Sequence, residues 1–310
     1  MPANQSPRTY AAAHFALELD GKKDVGLFRS IEGGGVKAEV MTYQTGASYD
    51  KWRQIGKPKF EDIKVQVGMA MSEPFYAWIS KFFDGIADRK NGAIVAADFY
   101  YNERARREFT DAMITELTFP KLDAQDKNAA YMTVALAVEA IVFKKGEGAK
   151  LQQNQGMKSQ KQWTSCNFRL SLDGFEQACK RVTKIDPFTI KQSVLEYHAG
   201  GFRAPTKSPS QIDFPTISFY VPEADAEPFM KRFTERAIKG EPRGHSAQKA
   251  GMIQTFDHEK KPLFTLEFFE ADIINVQPDK SDAMSEEIKQ VKIDLFTERM
   301  KFQYAAMEVE

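Results

Sequence analysis

Two cysteines among 310 residues exclude a disulfide-stapled fold. Cys166 and Cys179 form neither a CxxC pair nor a bridging framework, and they read as free buried thiols of a reducing compartment. Histidine is nearly as scarce. His14, His198, His245 and His258 lie among polar neighbours without the HExxH or other spacing of metal ligands, so they are expected at the surface and no metal site is assigned. No apolar run approaches the roughly 18 residues of a membrane span. The opening stretch MPANQSPRTYAAAHF holds one arginine and no apolar core, which predicts a product that starts in the cytoplasm without membrane insertion. Neither charge is in excess: 43 Lys and Arg face 43 Asp and Glu, a formal net charge of zero. That balance argues against coating nucleic acid or anionic lipid, and it leaves little repulsion between copies that assemble.

Catalytic motifs are missing too. The glycine-rich EGGG at residues 32–35 is not followed by the lysine and Ser/Thr of a phosphate loop, and it reads as a kink or bulge between strands. There is no GxSxG elbow and no cysteine beside a general base. No catalytic or cofactor-binding residue is assigned, and the chain is read as a non-enzyme.

What the chain has is length, aromatic content and an internal echo. Three hundred and ten residues with 42% hydrophobic content and 24 Phe suffice for two domains with their own cores. LELDG at 17–21 returns as LSLDG at 170–174, an offset of 153. At an offset of 154, VMTYQTG (40–46) meets VLEYHAG (194–200), FEDIKVQV meets FPTISFYV from Phe214, and EPF at 73–75 meets EPF at 227–229. VALAVEAIVF (134–143) meets IDLFTERMKF (293–302) at an offset of 159, aligning Leu136, Glu139 and Phe143 with Leu295, Glu298 and Phe302. Collinear matches with small drift predict a tandem duplication whose second copy carries extra loop residues around Gln277 to Ser285. The predicted organisation is a first domain at 1–143, a Gly/Gln/Lys-rich linker at 144–165 and a second domain at 166–310. A linker of that length, extended, leaves the copies free not to touch.

Within a copy, HFALELDG alternates apolar and polar residues and predicts a half-buried strand ending in a turn at Asp20-Gly21, with Asp173-Gly174 its counterpart. VKAEVMTYQTG, FEDIKVQVGM, AIVAADFYY, AMITELTF and YMTVALAVEAIVF predict further strands. One segment changes period. In SEPFYAWISKFFDG, Phe75, Trp78, Ile79, Phe82 and Phe83 fall on one helical face, with Ser72 placed to cap and Gly85 to end the helix. Phe229 and Phe233 repeat that packing face in the second copy. The fold class is therefore α+β, mainly β: two antiparallel β-sandwiches or barrels, each with one flanking amphipathic helix.

The most charged short run is RARREF. Arg104, Arg106 and Arg107 follow FYYNE at a hairpin-like position, and they are candidates for a subunit interface or, failing that, a solvated loop.

Taken together, these segments resemble the tail tube proteins of contractile-tailed phages and contractile injection systems, distant relatives of the type VI secretion tube protein. The resemblance runs in order through FALELDG, EGGGVKAEVMTYQTG, KPKFEDIKVQVGM, EPFYAWISKFFDG, RKNGAIVAADFYY and TVALAVEAIVF with Glu139. It is weaker in the second copy, where Arg232 stands in place of Trp78. It implies subunits whose edge strands and hairpins pair with neighbours around a lumen, in rings that stack into a tube. Ordinary members are single domains in six-membered rings, so a duplicated chain implies three chains per pseudo-six-fold ring. The partners implied are further copies of the chain, sheath or baseplate proteins, and DNA or effector cargo in the lumen. The implied site is a virion tail or injection particle. A specialised ring at a tube end and a non-polymerising cytoplasmic binding module are the alternative readings.

Overall fold

A computed structural model of the chain describes residues 12, 14–44, 46, 49–68, 71–151, 163–201, 204–240, 248–279 and 288–304. The first half runs through β1 (His14–Leu19), β2 (Lys22–Phe28), β3 (Ser30–Gly33), β4 (Val36–Gln44), β5 (Lys51–Phe60) and β6 (Ile63–Val67). It continues with α1 (Glu73–Phe83), β7 (Lys90–Ala97), β8 (Glu103–Phe119), β9 (Leu122–Asp123), β10 (Met132–Ala137) and β11 (Ala140–Lys145). The second half holds β12 (Phe168–Leu172), α2 (Glu176–Cys179), β13 (Lys184–Ile185), β14 (Phe188–Tyr197), β15 (Thr206–Asp213) and β16 (Ile217–Pro222). It ends with α3 (Glu227–Phe233), β17 (Lys249–Phe256), β18 (Pro262–Pro278), β19 (Gln290–Phe296) and β20 (Arg299–Tyr304).

The halves pair their strands in the same order. β1–β7–β8, with β11 also on β8, recurs as β12–β17–β18 with β20 on β18. β8–β10–β6–β3 recurs as β18–β19–β16–β13, and the β4–β5 hairpin recurs as β14–β15. The centre of each half is a 17-residue strand, β8 or β18, that passes from one sheet into the other. Each bends where one residue takes a left-handed conformation, Asp111 at φ 51° and Glu270 at φ 51°. Such a residue re-aims the strand, as a bulge does.

Local chemistry recurs with the pairing. Between β7 and β8, Asp98 Oδ1 accepts the backbone N–H of Tyr100 (2.9 Å) and Asn102 (3.0 Å), and Tyr101 sits at φ 63°. Between β17 and β18, Asp257 Oδ1 accepts from Glu259 and Lys261 (both 2.9 Å), and Lys260 sits at φ 65°. Gly92 and Gly251 hold matching places against a phenylalanine. A Cβ on Gly92 would lie 2.1 Å from Glu18 O and 2.7 Å from Phe109 Cζ, and one on Gly251 2.4 Å from Phe268 Cζ and 2.5 Å from Ser171 O.

Several details depart from the sequence pattern. Asp20-Gly21 turns β1 directly into β2, with Leu19 opposite Lys22, whereas Gly174 leads into the four-residue α2, whose Glu176 Oε1 accepts the Gly174 N–H at 2.8 Å. YMTVALAVEAIVF is two strands, β10 and β11, broken at Val138-Glu139. Ser72 stands at the N-cap of α1 in extended conformation but makes no side-chain capping bond. Gly85, at φ 71°, closes the helix C-terminus as a left-handed residue can. The expected insertion after Gln277 lies mostly outside the described residues, and so does His245.

The halves touch extensively. One continuous hydrophobic cluster runs from Leu17 through Phe302. Helix α1 of the first half lies on β20 of the second: Phe83 stacks on Phe302 (5.9 Å between centroids), Tyr76 stacks on Tyr304 (5.4 Å), and Ser80 Oγ donates to Phe302 O (3.3 Å). Of the stretch read as linker, Lys144 and Lys145 belong to β11 and Trp163 is buried edge-on against Phe264.

Candidate assembly interface

The contact between the halves is a β-joint. The C-terminal end of β8 has β10 on one edge and accepts the start of β14 on the other, with Glu116, Leu117, Thr118 and Phe119 opposite Lys191, Ile190, Thr189 and Phe188. Side chains reinforce the ladder. Phe119 stacks on Phe188 (5.0 Å), and the hydroxyls of Thr118 and Thr189 lie 2.9 Å apart. Lys191 and Lys64 flank Glu116 at 3.7 and 3.8 Å, in an exposed setting where such pairs add little. A second short ladder, β9 with β13, runs beside it.

Glu139, at the break between β10 and β11, fastens the hairpin of the other half. Its Oε1 accepts Arg89 Nη1 at 2.5 Å and the backbone N–H of Lys207 at 2.8 Å, while Arg89 Nη2 donates to the Lys207 carbonyl. Both backbone groups of one β15 residue are thus held by an ion pair from the first half. The repeat of Glu139 at Glu298 is legible in the sequence. Its partner is a backbone amide, which any residue supplies, so no side-chain pattern announces Lys207.

Helix α1 buries Phe75, Trp78, Ile79, Phe82 and Phe83. In α3, Phe229 is buried and Phe233 partly so, and the chain runs on into a single π turn at Thr234–Ile238. Where α1 has Trp78, whose Nε1 donates to Asp88 O at 2.8 Å, α3 has Arg232. Arg232 Nε and Arg236 Nε converge on the buried Asp272 at 3.2 and 3.1 Å, each largely enclosed.

The arginine run lies in the first part of strand β8 rather than in a loop. Arg104 pairs with Asp98 (2.6 Å), and Arg106 with Glu18 (2.6 Å) and Glu103 (2.9 Å). These two carboxylates hold the Arg106 guanidinium ever more firmly protonated against the cost of burial. Arg107 donates to Gly33 O (3.2 Å) and lies over the exposed ring of Phe143 (5.9 Å). Arg104 and Arg106 are therefore engaged within their own half. Burial opposes ionisation of Asp98, but the N–H groups of Asn102 and Tyr100 together with Arg104 outweigh it and hold the carboxyl down at about 2.

Much apolar surface is left in water. β4 and β5 form a two-stranded sheet of their own, and both faces carry exposed cross-strand pairs, Val40 with Ile55 and Tyr43 with Trp52. A solitary hairpin is marginal in water, and apolar surface of this kind marks a contact site. Leu195 and Tyr197 on β14, and Val142 and Phe143 on β11, are likewise exposed. Among the described residues, no cluster of His, Cys, Asp or Glu is placed to hold a metal, and no helix is long and apolar enough to cross a membrane. Burial raises the Cys179 thiol to about 12, which removes it as a nucleophile at neutral pH.

Residues 11–142 match the family of T4-like virus tail tube proteins, gp19. That family is structural and not enzymatic. No curated protein matches the sequence. Among solved structures, a chain of the PVC sheath-tube complex of an extracellular contractile injection system in its extended state is 17% identical, over 46% of this chain and 94% of that one, with a TM-score of 0.38. A chain of the anti-feeding prophage tube-terminating cap is 22% identical over 45% and 89%, TM-score 0.37. The Escherichia coli Hcp1 protein is 12% identical over 44% and 91%, TM-score 0.26.

Proposed function

We propose that this chain, which carries a tail tube domain at residues 11–142, is a structural subunit of the tube of a contractile-tail apparatus, built from two such domains in tandem. The family match is the observation that carries the reading. The second domain, 166–310, is inferred from the recurrence of strand pairing, turn chemistry and left-handed residues along it, with 144–165 as the connection. The internal β-joint then stands for the contact that two separate subunits make in an ordinary ring, so three chains close a pseudo-six-fold ring around a lumen. Rings stack through the projecting β4–β5 and β14–β15 hairpins, whose exposed apolar pairs need cover. Further copies of the chain are the first partners. Sheath and baseplate proteins meet the outer and end surfaces, and DNA or an effector passes through the lumen. Assembly begins in the cytoplasm and ends in a virion tail or injection particle.

A second reading, a specialised ring at one end of the tube, is favoured by the inequivalence of the halves: Trp78 against Arg232, and the hairpin β1–β2 against strand β12 followed by α2. Electron microscopy of the purified full chain with symmetry determination separates the cases. Long tubes of three-chain rings support a tube-body role, and single three-chain discs support the tube-end role. A six-chain ring overturns the stoichiometry, and a strict monomer overturns assembly altogether in favour of a non-polymerising binding module.

A further inference from the structure

The internal joint leaves each half with one unused side. The first half gives the joint the end of β8, helix α1 and Glu139, and the second gives the start of β14, the β15 backbone and β20. The second half therefore still holds the end of β18, α3 and Glu298, while the first still holds the start of β4, β5 and β11. Among the described residues, the edge of β18 matching the β14-bearing edge of β8 has no strand on it from Asn275 to Pro278.

Exposure follows the same division. Ile190, seated in the joint, is fully buried, and its counterpart Val36 is 43% exposed. Phe302, beneath α1, is 2% exposed, and its counterpart Phe143 on β11 is 58% exposed. On the helices, Tyr76 is buried against β20 while its counterpart Met230 is 50% exposed. Ile190, Phe302 and Tyr76, three apolar residues that the internal joint covers, thus have exposed twins in Val36, Phe143 and Met230 on the unused sides.

Registers fix the alignment. Lys37 faces Lys59 as Lys191 faces Asp213, which equates Val36 with Ile190. Thr118 faces Thr133 as Gln277 faces Lys292, which equates Val276 with Leu117. Resting on the tube-subunit reading, we propose that a second copy of the chain docks head to tail by laying the start of its β4 on the end of β18, Val36 opposite Val276. Its β11, with Phe143, packs under α3 at Met230, and the Arg53 backbone N–H takes Glu298 as Lys207 takes Glu139. Within the isolated chain Glu298 is held by Gln248 (2.9 Å), the counterpart of Arg89. The joint between chains lacks the aromatic stack of the internal one, because Gly34 and Pro278 stand where Phe188 and Phe119 do. It is therefore the weaker of the two and the one that opens first.

The test uses full-length chains carrying Cys166→Ser, one set with Val36→Cys and another with Val276→Cys, mixed, assembled and mildly oxidised. Directly opposed strand residues lie within disulfide reach. A disulfide-linked pair is expected only in the mixture, and none when Gln277→Cys replaces Val276→Cys, since a one-residue slip turns the thiol to the other face. Assembly without the Val36–Val276 link, or equal linking at 277, overturns this joint while leaving the tube reading standing. No multi-chain assembly by the wild-type chain overturns both. As a readout free of engineered thiols, Phe143→Glu is expected to leave melting of the isolated chain unchanged and to raise the concentration at which assembly starts at least tenfold; an unchanged threshold overturns the β11 contact.

Discussion

The carboxylate of Glu139 in one half of the chain accepts the backbone N–H of Lys207 in the other at 2.8 Å, with Arg89 ion-paired to the same oxygen. Glu139→Ala leaves that N–H and a partly enclosed guanidinium without this acceptor. A loss of about 1.5–3 kcal/mol is expected, the range for a hydrogen bond to a charged group. Urea denaturation of the isolated chain measures it. Glu139→Gln keeps an oxygen for the amide and is expected to lose less.

The arginine pair on α3 makes a harsher demand. Arg232 and Arg236 both close on Asp272, and all three side chains are largely buried. Asp272→Ala takes the shared counter-charge away from two enclosed cations, and breaking a buried pair in this way costs about 3–5 kcal/mol. Chemical denaturation is expected to place Asp272→Ala far below Glu139→Ala in midpoint at unchanged slope. An equal or smaller loss would mean that solvent reaches the cluster.

Asp98 sets an acid limit. Its carboxyl is held at about 2 in the folded chain by two backbone N–H groups and Arg104, against an unfolded value near 4. Because the folded value is the lower, its stabilisation is complete above about pH 4 and is lost as pH falls toward about 2. Asp98→Asn, which cannot ionise, is expected to flatten the stability profile across that window and to leave the slope above pH 5 as in the wild type. Melting temperatures between pH 2 and 6 measure both parts.

The strand alternation and the α1 face were legible because each buries one side against a core, and burial of one side is what periodicity records. The full length of β8 was not. Its first part, from Arg104 to Glu108, is polar on both sides, since Arg106 is satisfied by Glu18 and Glu103 and not by solvent, and alternation vanishes there. Glu139 repeats visibly at Glu298, but the joint it serves depends on the backbone of Lys207 and on strand edges, which leave no residue signature. The replacement of β2 by α2 after Gly174 was equally silent, because Asp-Gly specifies the turn and not the element beyond it.

Gly92 and Gly251 test whether the halves unfold as one body. An alanine methyl at either would run into a neighbouring strand's carbonyl and a phenylalanine ring, overpacking that costs about 1–3 kcal/mol. Each glycine sits in a different half, yet one hydrophobic cluster spans both and α1 covers the seam onto β20. If that shared core makes unfolding all-or-none, Gly92→Ala and Gly251→Ala each lower the same single transition, and calorimetric and van't Hoff enthalpies agree. Were the halves independent, scanning calorimetry would split into two transitions, with each substitution moving only one. A single transition shifted by both variants is the expected result, and it would make the first half's helix part of the second half's folding unit.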